Sequence, residues 1–337
     1  MKKALILIMF LLLFGCQTRV PVIPLLIYDM NDDYMRDFES RIQEANLMNF
    51  RIETYDCQNS QIIQNEYLEE VLKKDNPLII INPVDRLSAH AMIEKAKQTG
   101  AKIIFINREP LPEDMDLYDS VYYVGADAKQ SAELQAEIIM DLFGGNPYSL
   151  NEFDLNSDGV IQAVILKGEQ GHQDAEARTK YVIDELENEH YQVEVLDIAI
   201  ANFDMDLAEI AMNQLIEEYG DQFEVVIANN DAMAIGAIKT LTEHQYFDDM
   251  DMNGVIDRDT EPWIPVVGID GLDIAIESMN NGYLYGTVLN DSQSMAEAIV
   301  ELANILLNNL SLDDFSYVIT DSKYIWIDYQ KFVNDSV

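Results

Sequence analysis

A short segment, residues 154–162, places oxygen-bearing residues at alternate positions, a spacing suited to hard cations. Oxygen ligands at alternate positions with a glycine at the sharp turn are typical of EF-hand-type calcium loops. The predicted ligands are Asp154, Asn156, Asp158, the carbonyl of Val160, and Gln162. Ile165 occupies the position of the usual bidentate carboxylate and cannot ligate. The segment therefore predicts a Ca²⁺ site, and an Asx-rich turn is the alternative.

The same spacing recurs in an acidic stretch between residues 248 and 261. The predicted ligands are Asp249, Asp251, Asn253, the carbonyl of Val255, and Asp257. Gly254 again occupies the turn, whereas Thr260 occupies the bidentate position and Glu261 comes one place later. The pattern predicts a second, weaker calcium site, and a charged surface loop is the alternative.

Polar residues also follow the ends of several apolar stretches. They are Asp32 and Tyr34 after 25–28, Asn107 after 103–106, Asn229, Asn230 and Asp231 after 225–228, Asp270 after 266–269, and Asn290 and Asp291 after 286–289. In open α/β sheets, ligands bind beyond the carboxyl ends of the strands. Such residues also cap helices, and we expect Asp231 to be a cap. Their number, together with His172, predicts a polar cleft for a small molecule.

Apolar strands alternate with amphipathic helices through most of the chain, which predicts open parallel sheets. The predicted strands are 25–28, 50–55, 78–81, 103–106, 121–124, 160–166, 193–198, 225–228, 266–269 and 286–289. The predicted helices include 66–74, 91–99, 131–142 and 175–187. This number of strands is too large for one compact sheet. We therefore predict an α/β fold with two Rossmann-like lobes, a hinge and a ligand cleft between the lobes.

The first residues have the features of a targeting segment. Two lysines precede an apolar run, 4–14, that is too short for an ordinary membrane span of about 20 residues. The run ends in Gly15 and Cys16, which resembles a bacterial lipobox. We expect a signal peptide over 1–15, lipidation of Cys16 and a tether over 16–24. This predicts an extracytoplasmic protein of the cell envelope, at the cell surface or in the periplasm, held to the membrane only by its lipid.

Composition excludes several classes of protein. The chain has 21 basic and 61 acidic residues, and its net charge of −40 opposes binding to nucleic acid. Its hydrophobic content of 48% is enough for a packed core and excludes general disorder. Only Cys16 and Cys57 are present, so no disulfide framework is available, and we expect Cys57 to be buried.

Three motifs, 168–178, 225–234 and 286–291, resemble the galactose/glucose-binding proteins, which are the substrate-binding subunits of ABC sugar importers. The resemblance extends from about residue 25 to about residue 329 and implies a periplasmic-binding-protein fold. The corresponding lobes are 25–126 with 290–325, and 127–289 with 326–337. The acidic segment 248–261 is a departure from the family.

The resemblance also implies which residues contact a hexose. The implied polar ligands are Asp32 and Asn107 from the first lobe, His172, Asp174, Arg178, Asn230 and Asp270 from the second, and Asn290 near a crossover. Tyr34 and Phe203 match the aromatic residues that stack on the two faces of the sugar ring, where the family more often has Phe and Trp. Glu224 matches the remote carboxylate that completes the first calcium loop.

We therefore expect a monomeric lipoprotein that binds D-glucose or D-galactose by closing its lobes and delivers the sugar to an ABC permease. We do not expect an enzyme, because no nucleophile or catalytic metal motif accompanies the candidate carboxylates Asp32, Asp174 and Asp270. A sugar-processing hydrolase is the less favoured alternative. A sensor that presents its sugar to a chemoreceptor or kinase is compatible with the same residues. A sugar-responsive transcription factor is opposed by the charge and by the signal segment.

Overall fold

The computed structural model describes residues 20–74 and 76–334, which form two α/β lobes, each built on a six-stranded sheet. The prediction of two Rossmann-like lobes with parallel-rich sheets is therefore confirmed. The predicted signal peptide, 1–15, and the lipidation site, Cys16, lie outside the described residues.

The strands are short and mostly buried. They are β1 Val22–Ile27, β2 Arg51–Asp56, β3 Leu78–Ile81, β4 Lys102–Ile106, β5 Val121–Gly125, β6 Ile161–Lys167, β7 Val193–Ile200, β8 Val225–Ala228, β9 Val266–Asp270, β10 Gly286–Leu289, β11 Tyr324–Trp326 and β12 Gln330–Val333. The first sheet has the order β11-β5-β4-β3-β1-β2 and the second has the order β12-β10-β9-β8-β6-β7. All neighbours are parallel except β12, which runs antiparallel to β10. The sequence prediction did not include β11 or β12.

Helices cover both sheets. They are α1 Asp33–Ala45, α2 Gln61–Leu72, α3 Ala89–Thr99, α4 Pro112–Met115, α5 Ala128–Leu142, α6 Gln173–Asn188, α7 Met205–Tyr219, α8 Asp231–Glu243, α9 Asp273–Asn280 and α10 Ser292–Asn308. Helices α2, α5 and α6 begin before their predicted starts, because Ser60, Asp127 and His172 cap first turns that lack apolar periodicity. In the described residues, no helix is both long and apolar enough to cross a membrane.

The chain crosses between the lobes in three places. The first crossing follows β5 and the second follows β10, because α10 packs against α1 in the first lobe. The third lies between β11 and β12. Because Trp326 pairs with Gly125 in the first sheet, this crossing comes one residue later than the predicted boundary between 325 and 326.

The predicted tether, 16–24, is wrong at its end, because β1 already begins at Val22. Ile23 is fully buried, so burial of apolar surface favours its place in the sheet. Alternate residues of a parallel strand bond to opposite neighbours, and Leu26 accepts a bond from Asn82, just beyond β3. The backbone of Pro24, two residues before Leu26, also points toward β3. Because β1 pairs with β3 only from Leu25 onward, the missing N–H of Pro24 removes no hydrogen bond between these strands.

Asp231 is not the helix cap that the sequence predicts, since Asn230 caps α8 with its side chain. The fully buried carboxylate of Asp231 accepts hydrogen bonds from the backbone N–H groups of Gly271 and Leu272 at 2.7 and 2.9 Å. It also accepts one from the hydroxyl of Thr287 at 2.7 Å. Asp231 therefore joins the carboxyl end of β9 and the start of β10 to α8.

Cys57 is buried, as predicted. Burial raises the pKa of its thiol to about 12, with a smaller opposing effect from the side chain of Gln64. The thiol therefore stays protonated near neutral pH, and the nucleophilic thiolate is scarce.

Gly236 allows α8 to approach α7 closely, so we expect Gly236→Ala to destabilise the second lobe. A Cβ at this position would lie 2.3 Å from the backbone oxygen of Met205, which cannot move as a side chain can. Alanine favours a helix over glycine by about 1 kcal/mol, but a methyl group forced into this close contact costs about 1–3 kcal/mol. Urea denaturation should give a lower free energy of unfolding than in the parent. Exposed Glu243→Ala is the control, and a Gly236→Ala protein as stable as the parent would refute the close approach.

Candidate functional site

A cavity lies between the two lobes at the carboxyl ends of their strands. It is lined by Tyr28, Asp32, Tyr34, Met35, Asn107, His172, Asp174, Arg178, Phe203, Asn230, Asp270 and Asn290. All ten residues predicted to contact a sugar are in this set, and Tyr28 and Met35 are additional. The structure therefore brings residues that are far apart in sequence into one cavity.

Asp32 links the first-lobe wall of the cavity to the start of α1. One carboxylate oxygen accepts a hydrogen bond from the N–H of Met35 at 2.9 Å, which caps the helix. The other accepts a bond from the hydroxyl of Tyr28, whose ring lies 3.8 Å from the guanidinium carbon of Arg108. Burial raises the pKa of Asp32, and the hydrogen bond from Tyr28 opposes this shift.

Several residues of the cavity have an unusual backbone conformation. Asn107, Phe203 and Asp270 have φ angles of 59°, 63° and 129°, in the range that L-residues rarely adopt. The conformation of Asn107 is held by two bonds: Asn82 donates to its side-chain oxygen at 3.2 Å, and Tyr123 donates to its carbonyl at 2.8 Å. Such strain persists only where the surroundings impose it, and it often marks binding sites.

Arg178 is the main buried positive charge of the second-lobe wall. Its guanidinium donates to the carbonyl of Asn229 at 2.8 Å and to the hydroxyl of Tyr329 at 3.0 Å. Carboxylate oxygens of Asp174 and Asp270 each lie 3.8 Å from it. Burial alone would lower the pKa of Arg178. The combined effects of Tyr329, Asp270 and Asp174 outweigh burial and raise this pKa, so the guanidinium stays charged. Burial raises the pKa of both carboxyls, and Arg178 opposes that shift.

His172 and Phe203 form an adjoining part of the same wall. The N–H of Asp174 donates to Nδ1 of His172 at 3.1 Å, so the neutral ring carries its proton on Nε2. Burial, followed by the nearby guanidinium groups, lowers the pKa of His172 well below its usual value, which favours this neutral form. The rings of His172 and Phe203 meet edge to face, with centroids 5.1 Å apart. Gly168 leaves room for Phe203, since a Cβ there would lie 2.2 Å from the ring.

The predicted calcium loop is folded around its oxygen-bearing side chains. The carboxylate of Asp154 accepts bonds from the N–H groups of Asp158 and Gly159 at 3.1 and 3.0 Å. The amide groups of Asn156 and Gln162 both donate to the same oxygen of Asp158, at 3.0 and 3.1 Å. These contacts bring the predicted side-chain ligands close together.

Glu224 reaches this loop from the start of β8. Its two oxygens accept bonds from the N–H groups of Leu155 at 2.6 Å and Gln162 at 3.3 Å. It is 2% exposed, and no ion pair among the described residues includes it. Burial raises its pKa, and the hydrogen bond from Gln162 opposes the shift. The all-oxygen donor set with a buried carboxylate fits a hard cation such as Ca²⁺.

The second loop has the same arrangement, and Glu261 takes the role that Glu224 has in the first. Its two oxygens accept bonds from the N–H groups of Met250 at 2.8 Å and Asp257 at 2.9 Å. Carboxylate oxygens of Asp249, Asp251 and Glu261 lie within 4.8 Å of one another. The backbone therefore brings Glu261 to this loop, although Glu261 comes one place after the bidentate position in the sequence. A second calcium ion itself stays a prediction.

Sequence reasoning did not identify three residues that shape the cavity. Tyr28 ends a predicted strand, so the strand-end rule could have found it. Met35 lies in the first turn of α1 and carries no such signal. Tyr329 lies in the third crossing, and its partner Arg178 is 151 residues away, which no local pattern reveals.

The chain belongs to the periplasmic binding protein family, since the family model for the periplasmic binding protein domain matches residues 23–311. This family consists of substrate-binding proteins and not of enzymes, and its members are extracytoplasmic. The prediction that the chain is not an enzyme is confirmed.

Its relatives include a D-galactose/methyl-galactoside binding periplasmic protein, MglB, of Haemophilus influenzae, 36% identical over 88% of this chain and 84% of the relative. A putative rhizopine-binding protein of Rhizobium meliloti is 27% identical over 74% of this chain and 71% of the relative. Among solved structures, an ABC transporter solute binding protein from Bacillus halodurans with bound myo-inositol is 26% identical. The two structures match with a TM-score of 0.75, and the match covers 95% of this chain and 96% of the Bacillus halodurans chain.

We expect Tyr329→Phe to destabilise the protein, because the buried guanidinium of Arg178 loses a hydrogen-bond acceptor while the ring is kept. Hydrogen bonds to charged groups contribute about 1.5–3 kcal/mol. Urea denaturation should show this loss, and Tyr148→Phe, whose side chain is 82% exposed, is the matched control. Equal stability of the Tyr329→Phe protein and the parent would mean that Arg178 does not depend on this bond.

Proposed function

We propose that this protein binds a hexose, D-glucose or D-galactose, outside the cytoplasm and delivers it to the permease of an ABC importer. One observation carries the proposal: ten residues that match the sugar site of the galactose/glucose-binding proteins all line one cavity between the lobes. The relatedness to the galactose-binding protein of Haemophilus influenzae supports the same ligand class.

The donors and acceptors of the cavity suit the hydroxyl groups of a hexose. The carboxylates of Asp32, Asp174 and Asp270 accept hydrogen bonds, while Arg178 and Nε2 of His172 donate them. Each sugar hydroxyl can donate and accept, so such a mixed wall can satisfy several of them. The rings of Tyr34 and Phe203 offer flat apolar surfaces for the C–H faces of the sugar ring.

Contacts between the lobes support binding by closure. Gln173 of the second lobe donates to the carboxylate of Glu109 in the first at 2.9 Å, and Arg108 lies 3.5 Å from Glu169 across the cleft. A hexose that contacts both walls adds bonds that only the closed arrangement provides. The ligand therefore shifts the equilibrium between open and closed lobes toward the closed form.

The finer points of location and partners belong to the same proposal. The basic and apolar residues before Cys16 support a lipid anchor at that residue. The anchor would keep a monomeric binding protein beside its permease, at the cell surface or in the periplasm. Presentation of the bound sugar to a chemoreceptor is compatible with this function.

We also propose that the first loop holds a structural Ca²⁺. Asp154, Asn156, Asp158, the carbonyl of Val160, Gln162 and Glu224 would be its ligands. Bound calcium supplies positive charge that offsets the repulsion among these carboxylates. Because the loop precedes β6 and Glu224 precedes β8, the ion would join neighbouring strands of the second sheet without contacting the sugar.

We expect Asp174→Asn to weaken hexose binding at least about tenfold, since a carboxylate that lines the cavity loses its charge. Asp32 and Asn230 are less suitable for this test, because each also caps a helix. Isothermal titration calorimetry with D-glucose and D-galactose measures the change. Asp184→Asn, on the exposed side of the same helix, is the matched control. Equal hexose binding by parent and Asp174→Asn would refute the site.

We expect calcium removal by a chelator to lower the melting temperature of the parent. A ligand that binds only the folded state stabilises it by about 2.7 kcal/mol at a hundredfold excess over Kd. Glu224→Gln should reduce this response, whereas the same change at exposed Glu218 should not.

Metal analysis of the same proteins counts the calcium ions per chain. An ion that Asp249→Ala with Asp251→Ala removes, but Glu224→Gln does not, belongs to the second loop. A parent that binds no calcium and melts at the same temperature with and without chelator would refute both loops as calcium sites.

A further inference from the structure

Three buried polar atoms of the cavity have no hydrogen-bond partner in the described residues. They are the hydroxyl of Tyr34, Nε of Arg178 and Oδ1 of Asn290. Leaving a buried polar group unpaired destabilises a protein, so native proteins rarely do so without a reason. The three atoms are a donor, an acceptor and a hydroxyl that can do both, which complements a ligand that carries several hydroxyls.

The Tyr34 hydroxyl is the least expected of these atoms, because the ring alone is enough for stacking on a sugar. The side chain is 6% exposed, and its ring packs against Phe38 with centroids 5.8 Å apart. Tyr34 lines the cavity of the proposed sugar site together with residues of the opposite lobe. The unpaired hydroxyl therefore belongs to a residue of the cavity wall, which Asp270 and Arg178 also line.

The protonation of Tyr34 is suited to hydrogen-bond donation. Burial raises the pKa of Tyr34 well above its usual value, and the nearby carboxyl of Asp270 raises it further. Asp270, Tyr329, Arg178 and Asp37 are the titratable groups with the largest effect on the pKa of Tyr34. The hydroxyl thus keeps its proton at neutral pH and needs an acceptor.

We propose that Tyr34 is a specificity-determining residue whose hydroxyl bonds directly to one hydroxyl of the bound sugar. This inference rests on the proposed hexose function and adds that the protein distinguishes a hexose from the analogue lacking that hydroxyl. A site that hydrogen-bonds a ligand hydroxyl rejects the deoxy analogue strongly, because its buried polar groups are then unpaired. Stacking alone gives no such discrimination at a single hydroxyl.

The test compares the parent with Tyr34→Phe, which keeps the ring and removes only the hydroxyl. Calorimetry is run with D-glucose, D-galactose and the glucose analogues that each lack one hydroxyl. We expect Tyr34→Phe to weaken hexose binding roughly tenfold. For one analogue, the parent and Tyr34→Phe should bind equally well. This analogue lacks the sugar hydroxyl that bonds to Tyr34, so removing the Tyr34 hydroxyl breaks no further bond.

Stability of the free protein provides a second measurement. Because the hydroxyl has no partner within the described chain, Tyr34→Phe should melt at or above the parent's temperature. A lower melting temperature would mean that the hydroxyl has a structural partner, which overturns the inference. Tyr191→Phe, at a buried tyrosine outside the cavity, is the matched control and should bind every sugar as the parent does.

The binding outcomes separate this inference from the proposed function. The inference is overturned if Tyr34→Phe binds every sugar as the parent does, or if its affinity falls by the same factor for every analogue. Hexose binding stands in both cases. If the parent binds no hexose, both are overturned. Loss of discrimination at one hydroxyl alone supports the inference.

Discussion

Arg178 is buried at 4% exposure, and polar groups from four segments of the chain surround its guanidinium charge. A buried charge is tolerated only when neighbouring groups replace the water that it loses. Here the replacements come from the end of β8, the end of β9, helix α6 and the third crossing. Because these segments converge on one group, the position of Arg178 ties the sugar wall of the cavity to the hinge between the lobes.

The residues that line the cavity also build the elements that position them. Asp32, His172 and Asn230 each cap the helix that begins at the cleft. The two interpretations of such residues, as caps and as ligands, are therefore not exclusive, since a carboxylate or amide has more than one polar atom to offer. The cost is that substitutions at these positions change helix stability together with any contact to a ligand.

Much of the fold could be predicted from the sequence, because buried parallel strands such as β3 and β8 are continuous apolar runs. The late crossing could not, since β11 and β12 are short, half-exposed strands with weak patterns. Motif resemblance identified ten residues of one cavity, whereas the role of Tyr329 depends on a contact across 151 residues. Asp231 shows the limit of local rules, because tertiary contacts with β9 and β10 outweigh its capping preference.

The two acidic loops differ in how much chain their remote carboxylates connect. Glu224 is 69 residues from the loop amide of Leu155, whereas Glu261 is only 11 from that of Met250. Closing a longer loop removes more conformational entropy from the unfolded chain, although the cost grows slowly with length. The first loop therefore acts as a long-range cross-link of the second sheet, whereas the second loop connects only residues that are close in sequence. A cation would restrain a whole lobe at one loop and only a surface insertion at the other.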